Sequence, residues 1–349
     1  MKNFYIMIGA IIIFLPVIYF LASSKKLHFE REIVSEFQVD EGTVDEKQDK
    51  KDSIKNENHP NSILSLINKN FEGSDFKAGN VLVSGNLYTR YFISYKSDGL
   101  SISGIMSVPE GEGPFPVLIL NHGYIAPEIY TNGRGLRREQ DYFAKNGYAV
   151  IHPDYRGYAL SDPDPETGDE QGLAYSGYVS DAVNLVLALQ ESGLDHLNLG
   201  KIGMLGHSMG GGVTMNALIS RPDLFDAAVL LAPVSSDYQK NFLRWRKDSL
   251  DDEELEILER EIGDTDDENN FSAFSSAFYF DRINAPIMIH QGTADKDVPV
   301  EWSRETRDRL EESGKEVIYF EYPGEPHEFA SAWPTVMERT LYFFDKNLK

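Results

Sequence analysis

A chain of 349 residues, 41% of them hydrophobic, can bury one large core or two modest ones and is too apolar for a disordered protein. Its 33 basic and 56 acidic side chains leave a formal charge of -23, which repels nucleic acid and anionic membrane surfaces and argues against both as partners. Cysteine is absent, which excludes disulfides, thiolate zinc sites, iron–sulfur clusters and thiol-linked lipids.

Residues 4–22 form an uncharged apolar run, preceded by Lys2 and followed by Ser23-Ser24-Lys25-Lys26, long enough to cross a bilayer as a helix. Residues 1–26 are therefore expected to be a transmembrane anchor. The small residues Ala22-Ser23-Ser24 make a cleaved signal peptide the alternative. Lys25, Lys26 and Arg31 outnumber Lys2 and the amino terminus, so flanking charge does not set the orientation. The likeness to an export signal places the following domain outside the cytoplasm, membrane-anchored, or secreted if the segment is cut. Residues 27–61 mix charges and amides with few apolar anchors, the composition of a flexible linker, and the domain proper is expected over 62–349.

Within that domain, 88–96 and 100–108 read as strands joined by Ser97-Asp98-Gly99, a hairpin. An apolar strand over 116–120 ends in Asn121-His122-Gly123-Tyr124. A helix over 135–146, a strand over 148–152 followed by Asp154-Tyr155-Arg156-Gly157, and an amphipathic helix over 177–191 come next. The strand 202–205 runs through Gly206-His207-Ser208-Met209-Gly210 into a helix beginning near Gly211, and 227–231 is another buried strand. Residues 236–281 interrupt the alternation with a basic aromatic stretch, an acidic helical run and an aromatic stretch over 271–280. A strand over 286–290, a helix over 300–312, a strand over 316–321 and a helix over 332–346 close the chain. Alternation of this kind predicts an α/β fold: a mainly parallel sheet covered on both faces, with a helical insertion before the strand at 286–290.

The turn at Ser208 has the form of a nucleophile elbow. A serine on a tight strand-to-helix turn is strained and lifted above the sheet, and larger residues two positions before or after it would collide with neighbouring elements. The same turn aims the N–H of Met209 at an oxyanion formed on the serine. A serine hydroxyl needs a histidine base, and the base needs a carboxylate to fix its tautomer. Asp295, in Gln291-Gly292-Thr293-Ala294-Asp295-Lys296-Asp297-Val298-Pro299, and His327, in Pro323-Gly324-Glu325-Pro326-His327-Glu328-Phe329, follow strands in the required order. Asp297 and Asp237 are the alternative acids. His207 adjoins the nucleophile but is expected to point away from it. His28 and His59 fall in the linker, and His152, His196 and His290 lack a loop position after the last strand. Tyr124, in the loop after 116–120, is the expected second oxyanion donor, with His122 bracing that loop.

These motifs, from about 88 to 349, resemble the catalytic domain of the prolyl oligopeptidase family of serine peptidases and its esterase relatives within the α/β-hydrolase fold. The resemblance implies Ser208 as nucleophile, Asp295 and His327 as the rest of a triad, and Met209 and Tyr124 as oxyanion donors. It also implies a serine hydrolase needing no cofactor or metal, acting on small ester or short peptide substrates. Peptidases of this family usually carry a large β-propeller before the catalytic domain, whereas here a linker and a few strands precede it. That departure leaves a carboxylesterase without peptidase activity open, and a catalytically silent binding module is the reading from another class. Trp245, Phe274, Phe278 and Tyr279 in the insertion would wall a substrate pocket, unless they are ordinary packing. The acidic run over 251–261 is expected to be a solvated face.

Overall fold

The computed structural model describes residues 54–164 and 173–349. Nine strands form one sheet: β1 (Gly73–Ser84), β2 (Tyr88–Ser97), β3 (Leu100–Pro109), β4 (Phe115–Asn121), β5 (Ala149–Pro153), β6 (Leu197–His207), β7 (Ala227–Leu231), β8 (Ile287–Gly292) and β9 (Val317–Tyr322). Their spatial order is β1-β2-β3-β5-β4-β6-β7-β8-β9. Pairing is antiparallel from β1 to β5 and parallel from there to β9. The β2–β3 hairpin turns on Asp98 (φ 50°) and Gly99 (φ 85°), the two left-handed positions that a tight two-residue turn requires.

The parallel strands are continuous apolar runs because helices cover both faces. Val117, Leu118, Ile119 and Leu120 of β4 are fully buried, each such side chain contributing about 1.5–3 kcal/mol on leaving water. Of the helices, α1 (Ile63–Asn68), α3 (Ser176–Glu191) and α4 (Met209–Ser220) pack together on one side, whereas α2 (Arg137–Lys145) packs with α8 (Trp333–Leu348). The insertion comprises α5 (Tyr238–Trp245), α6 (Asp252–Ile262) and a series of 3-10 turns through Arg282, and α7 (Val300–Glu312) follows β8. Asp251 and Glu254 form a capping box on α6, whose acidic first turn complements the helix dipole and faces solvent as expected.

The structure departs from the sequence reading at two places. The stretch read as linker to residue 61 is packed on the insertion from residue 54 onward. Asn56 Nδ2 donates to the carbonyls of Ile262 and Asn270 at 2.8 Å each, Lys55 N donates to Ser272 Oγ at 3.0 Å, and His59 meets Phe274 edge-on with centroids 5.1 Å apart. The Asn56 side chain serves carbonyls of the insertion, so a composition that looks solvated is built into the fold. The second is β1, which the sequence reading passed over: its outer half, from Ala78 on, is exposed and lacks the alternation that marks a half-buried strand. The expected anchor or signal over 1–26 lies outside the described residues; among those described, no helix is long and apolar enough to cross a membrane.

Candidate active site

Ser208 joins β6 to α4 with φ 56° and ψ −122°, a conformation that costs a side-chain-bearing residue on the order of 1–3 kcal/mol. The surrounding backbone holds it there. Ser208 N–H donates to the Leu231 carbonyl at 3.0 Å, and its own carbonyl accepts from Gly211 N at 2.8 Å and Val234 N at 3.1 Å. The flanking glycines are steric requirements: a Cβ on Gly206 would lie 2.1 Å from the Gly210 carbonyl oxygen, and one on Gly210 would lie 2.0 Å from that of Asn121. Asn121 Nδ2 donates to Thr214 Oγ1 at 2.9 Å, tying the end of β4 to α4.

His327 Nδ1 lies 2.7 Å from Asp295 Oδ2, and the Asp295 side chain is fully enclosed. With Nδ1–H donating to the carboxylate, Nε2 keeps a free lone pair. Asp295 accepts three further bonds, from Asp297 N and Val298 N to Oδ1 at 2.9 Å each and from Gln291 Nε2 to Oδ2 at 3.0 Å. Burial pushes this carboxyl up, but the bond and charge of His327 with the two backbone N–H groups more than offset it, leaving the pKa below the usual value. Asp297, the first alternative acid, is exposed, and its carboxylate belongs to a group with Asp295 and His327 whose donor atoms lie within 4.8 Å. Asp237 instead caps α5, accepting from Gln239 N at 3.1 Å.

Ser208, Met209, Gly123, Tyr124 and His327 open onto one cleft of about 1150 Å³. Met209 begins α4, where the first N–H groups have no partner within the helix. Gly123 brings the β4 loop against the serine, since a Cβ there would lie 3.0 Å from Ser208 Cβ. His122 braces this loop as expected: its ring contacts the Gly123 carbonyl at 2.7 Å and that of Asp154 at 3.3 Å, and stacks on Tyr155. Burial pushes the His122 pKa below its usual value, against the opposing pull of the two carbonyls. Beneath it, the Asp154 carboxylate accepts from Ser103 Oγ, Tyr130 OH, Asn132 Nδ2 and Gly133 N at 2.6 to 2.9 Å, fixing the chain on both sides of the site.

His207 does not bond Ser208, yet it belongs to the site in a way the sequence reading missed. It lines the cleft, its Nε2–H donates to the His327 carbonyl at 3.2 Å, and the two rings lie 4.5 Å apart. Burial, and then the neighbouring charge of His327, push its pKa down to about 4, so it supports the His327 loop as a neutral donor. No local pattern announces this contact, which joins residues 120 positions apart.

Of the four expected pocket residues, Trp245 lines the cleft. Phe274, Phe278 and Tyr279 do not, which corrects that expectation. Phe274 and Tyr279 are buried in the core and Phe278 packs against it. Their 3-10 turns are pinned under α4, where Ser276 Oγ donates to Asn216 Oδ1 at 2.8 Å, and the aromatic rings face inward. The cleft is lined instead by Ile125, Leu136, Tyr175, Val234 and Leu250, with Arg137, Arg138 and Glu328 adding charge.

Comparison with known proteins agrees with this architecture. A dipeptidyl peptidase family member 6 from Caenorhabditis elegans is 25% identical across 63% of this chain and 30% of its own length. The acylaminoacyl peptidase of Pyrococcus horikoshii superposes with a TM-score of 0.58 at 22% identity, over 75% of this chain and 42% of that one. Acetyl xylan esterase 1 from Thermoanaerobacterium sp. JW/SL YS485 gives 0.58 at 15% identity, over 81% of this chain and 92% of that one. The chain thus spans less than half of these peptidases and nearly the whole of the esterase, and the two solved structures share the α/β-hydrolase fold seen here. The sequence profile of the prolyl oligopeptidase family matches residues 134–349, more than half of the protein, and the chain belongs to that family.

Proposed function

We propose that this protein is a serine hydrolase that forms an acyl-enzyme on Ser208. The observation that carries this reading is the conjunction of a strained serine with a hydrogen-bonded His327–Asp295 pair at 2.7 Å, opening on one cleft. His327 Nε2 takes the proton as Ser208 Oγ attacks the substrate carbonyl carbon, and Asp295 holds the imidazolium that results. The N–H groups of Met209 and Tyr124 receive the oxyanion. Collapse breaks the bond to the leaving group, which departs with the proton from His327. Water, deprotonated by the same nitrogen, then attacks the ester carbonyl, and the acid product leaves as Ser208 recovers its proton. The chemistry calls for no cofactor.

The substrates are small esters or short peptides. Kinship with peptidases favours the amide, and the match across 92% of the esterase favours the ester. Hydrolysis of one acyl group presented as p-nitrophenyl ester and as p-nitroanilide, by the full chain with Ser208→Ala as blank, decides. Turnover of both supports a peptidase, turnover of the ester alone supports a carboxylesterase, and turnover of neither supports the silent binding module. The uncharged stretch over 4–22 supports a membrane tether, or secretion after cleavage, and its likeness to an export signal supports a domain outside the cytoplasm. Recovery of the full chain in a carbonate-washed membrane pellet supports the tether, and a shortened chain in the medium supports cleavage.

A further inference from the structure

One side chain of the insertion bears directly on the loop that carries Asp295. Arg244, near the end of α5, donates from Nη2 to the carbonyl of Lys296 and from Nε to the carbonyl of Asp297, both at 2.6 Å. These two carbonyls have a particular place in the site. The peptide group of Lys296 C=O carries the N–H of Asp297, and that of Asp297 C=O carries the N–H of Val298. Both N–H groups donate to Asp295 Oδ1 at 2.9 Å. Two peptide units are thus bracketed between a guanidinium on their oxygen side and the buried carboxylate on their nitrogen side. A cation on a carbonyl polarises its amide and strengthens the N–H as a donor, and the rigid fork of arginine fixes both units at once.

The guanidinium is itself held. It lies 5.7 Å from the Trp245 ring and 5.8 Å from the Trp302 ring, which meet edge to face at 5.5 Å. Trp302 stands on α7, just beyond the acid loop, whereas Trp245 lines the cleft. A chain of contacts therefore runs from the cleft wall through Trp245 and Arg244 to the peptide groups that hold Asp295, and on to His327 Nδ1.

We propose that Arg244 is a positioning residue for the reaction: from the insertion it aligns and polarises the two peptide groups that hold Asp295, so the Asp295–His327 pair is in register when α5 is docked on the acid loop. The proposal rests on the serine hydrolase reading above, with Asp295 and His327 in their stated roles.

The test uses the full chain as wild type, Arg244→Ala, Arg244→Lys and Lys240→Ala. Lys240 is a neighbour on α5 whose ion pair with Glu305 of α7 fastens the insertion without touching the acid loop. Labelling by a fluorophosphonate reads activation of the serine without substrate recognition, and turnover of a p-nitrophenyl ester separates kcat from KM. Arg244→Ala is expected to label about tenfold more slowly and to lose kcat by a similar factor, the scale of a small misalignment at a reacting centre, with KM changed less than about twofold. Arg244→Lys restores part of the loss, because an ammonium can reach a carbonyl but cannot bracket two. Lys240→Ala labels as the wild type does. Wild-type labelling of Arg244→Ala, a loss confined to KM, no gain from lysine, or an equal loss in Lys240→Ala would each overturn the proposal. Should Arg244→Ala fail to fold, as judged by circular dichroism, the lysine variant decides by the same kcat and labelling criteria. Failure of the wild type to label would instead strike the serine hydrolase reading, which keeps the two failures apart.

Discussion

Asp295→Asn gives the sharpest local test of the site. The change keeps size and shape but replaces an acceptor of four hydrogen bonds by a group that must present an NH2 on one side. Oδ1 faces two backbone N–H groups, at Asp297 and Val298, which cannot turn away. The amide oxygen therefore stays there and the NH2 points at Gln291 Nε2 and His327 Nδ1, now 3.0 and 2.7 Å from a donor. To accept from that NH2, His327 must move its proton to Nε2, the atom that has to receive the proton of Ser208. A wrong tautomer of this kind costs on the order of 10⁴ in kcat, about 5 kcal/mol of transition-state stabilisation. Meeting Gln291 donor to donor costs a further ~1–3 kcal/mol of fold stability. Steady-state turnover of a p-nitrophenyl ester by the full chain, with thermal unfolding alongside, measures both. Asp297→Asn, at the exposed neighbouring carboxylate, is expected to lose less than about threefold, because no hydrogen bond to His327 depends on it. A loss below about tenfold in Asp295→Asn, or a larger loss in Asp297→Asn, would refute the assignment of the acid.

The corrected pocket separates two substitutions that the sequence treats alike. Trp245→Ala, at a residue 43% exposed on the cleft wall, should raise KM severalfold and leave the melting temperature nearly unchanged. Phe274→Ala, at a residue 1% exposed, should cost about 3–5 kcal/mol in denaturant unfolding. The reverse pattern would put the aromatic stretch back in the pocket. His207→Phe removes the donor to the His327 carbonyl, and kcat should fall about tenfold while KM holds; unchanged kcat would mean that the His327 loop needs no such support. Stability should also depend on pH. Burial pushes the pKa of His207 from 6.5 to about 4 and that of His290 from 6.5 to about 3. The unfolded chain takes up protons below pH 6.5 while the folded one does not. Stability is therefore full above that pH and falls as pH drops toward 4, by on the order of 3 kcal/mol for each residue. Urea midpoints that stay level from pH 7 to 4.5 would contradict this.

The parallel half of the sheet was legible because burial on both faces leaves plain signatures, such as the five apolar residues of β7 and the glycines around Ser208. Turn chemistry marked the β2–β3 hairpin equally well, through Asp98 and Gly99. Where the reading failed, a tertiary contact had overridden a local pattern. Residues 54–61 look solvated until Asn56 is seen donating to the carbonyls of Ile262 and Asn270. Phe274 and Phe278 lie in 3-10 turns and Tyr279 links two of them, so no periodicity tells which face is buried. His207 and Arg244 act through carbonyls remote in sequence, and residue type alone does not announce such partners. Ser208, Asp295 and His327 were singled out by their order along the chain, whereas the contacts that hold them in place came from the structure.

The central claim is that Ser208 becomes covalently acylated in a reaction that His327 drives. The most direct measurement is the intact mass of the full chain after brief treatment with a fluorophosphonate, followed by peptide mapping, for the wild type, Ser208→Ala and His327→Ala. One adduct on the peptide containing Ser208 is predicted for the wild type, none for Ser208→Ala, and labelling slowed by about 10³-fold or more for His327→Ala. An adduct elsewhere, or equal labelling of the wild type and His327→Ala, would contradict the account.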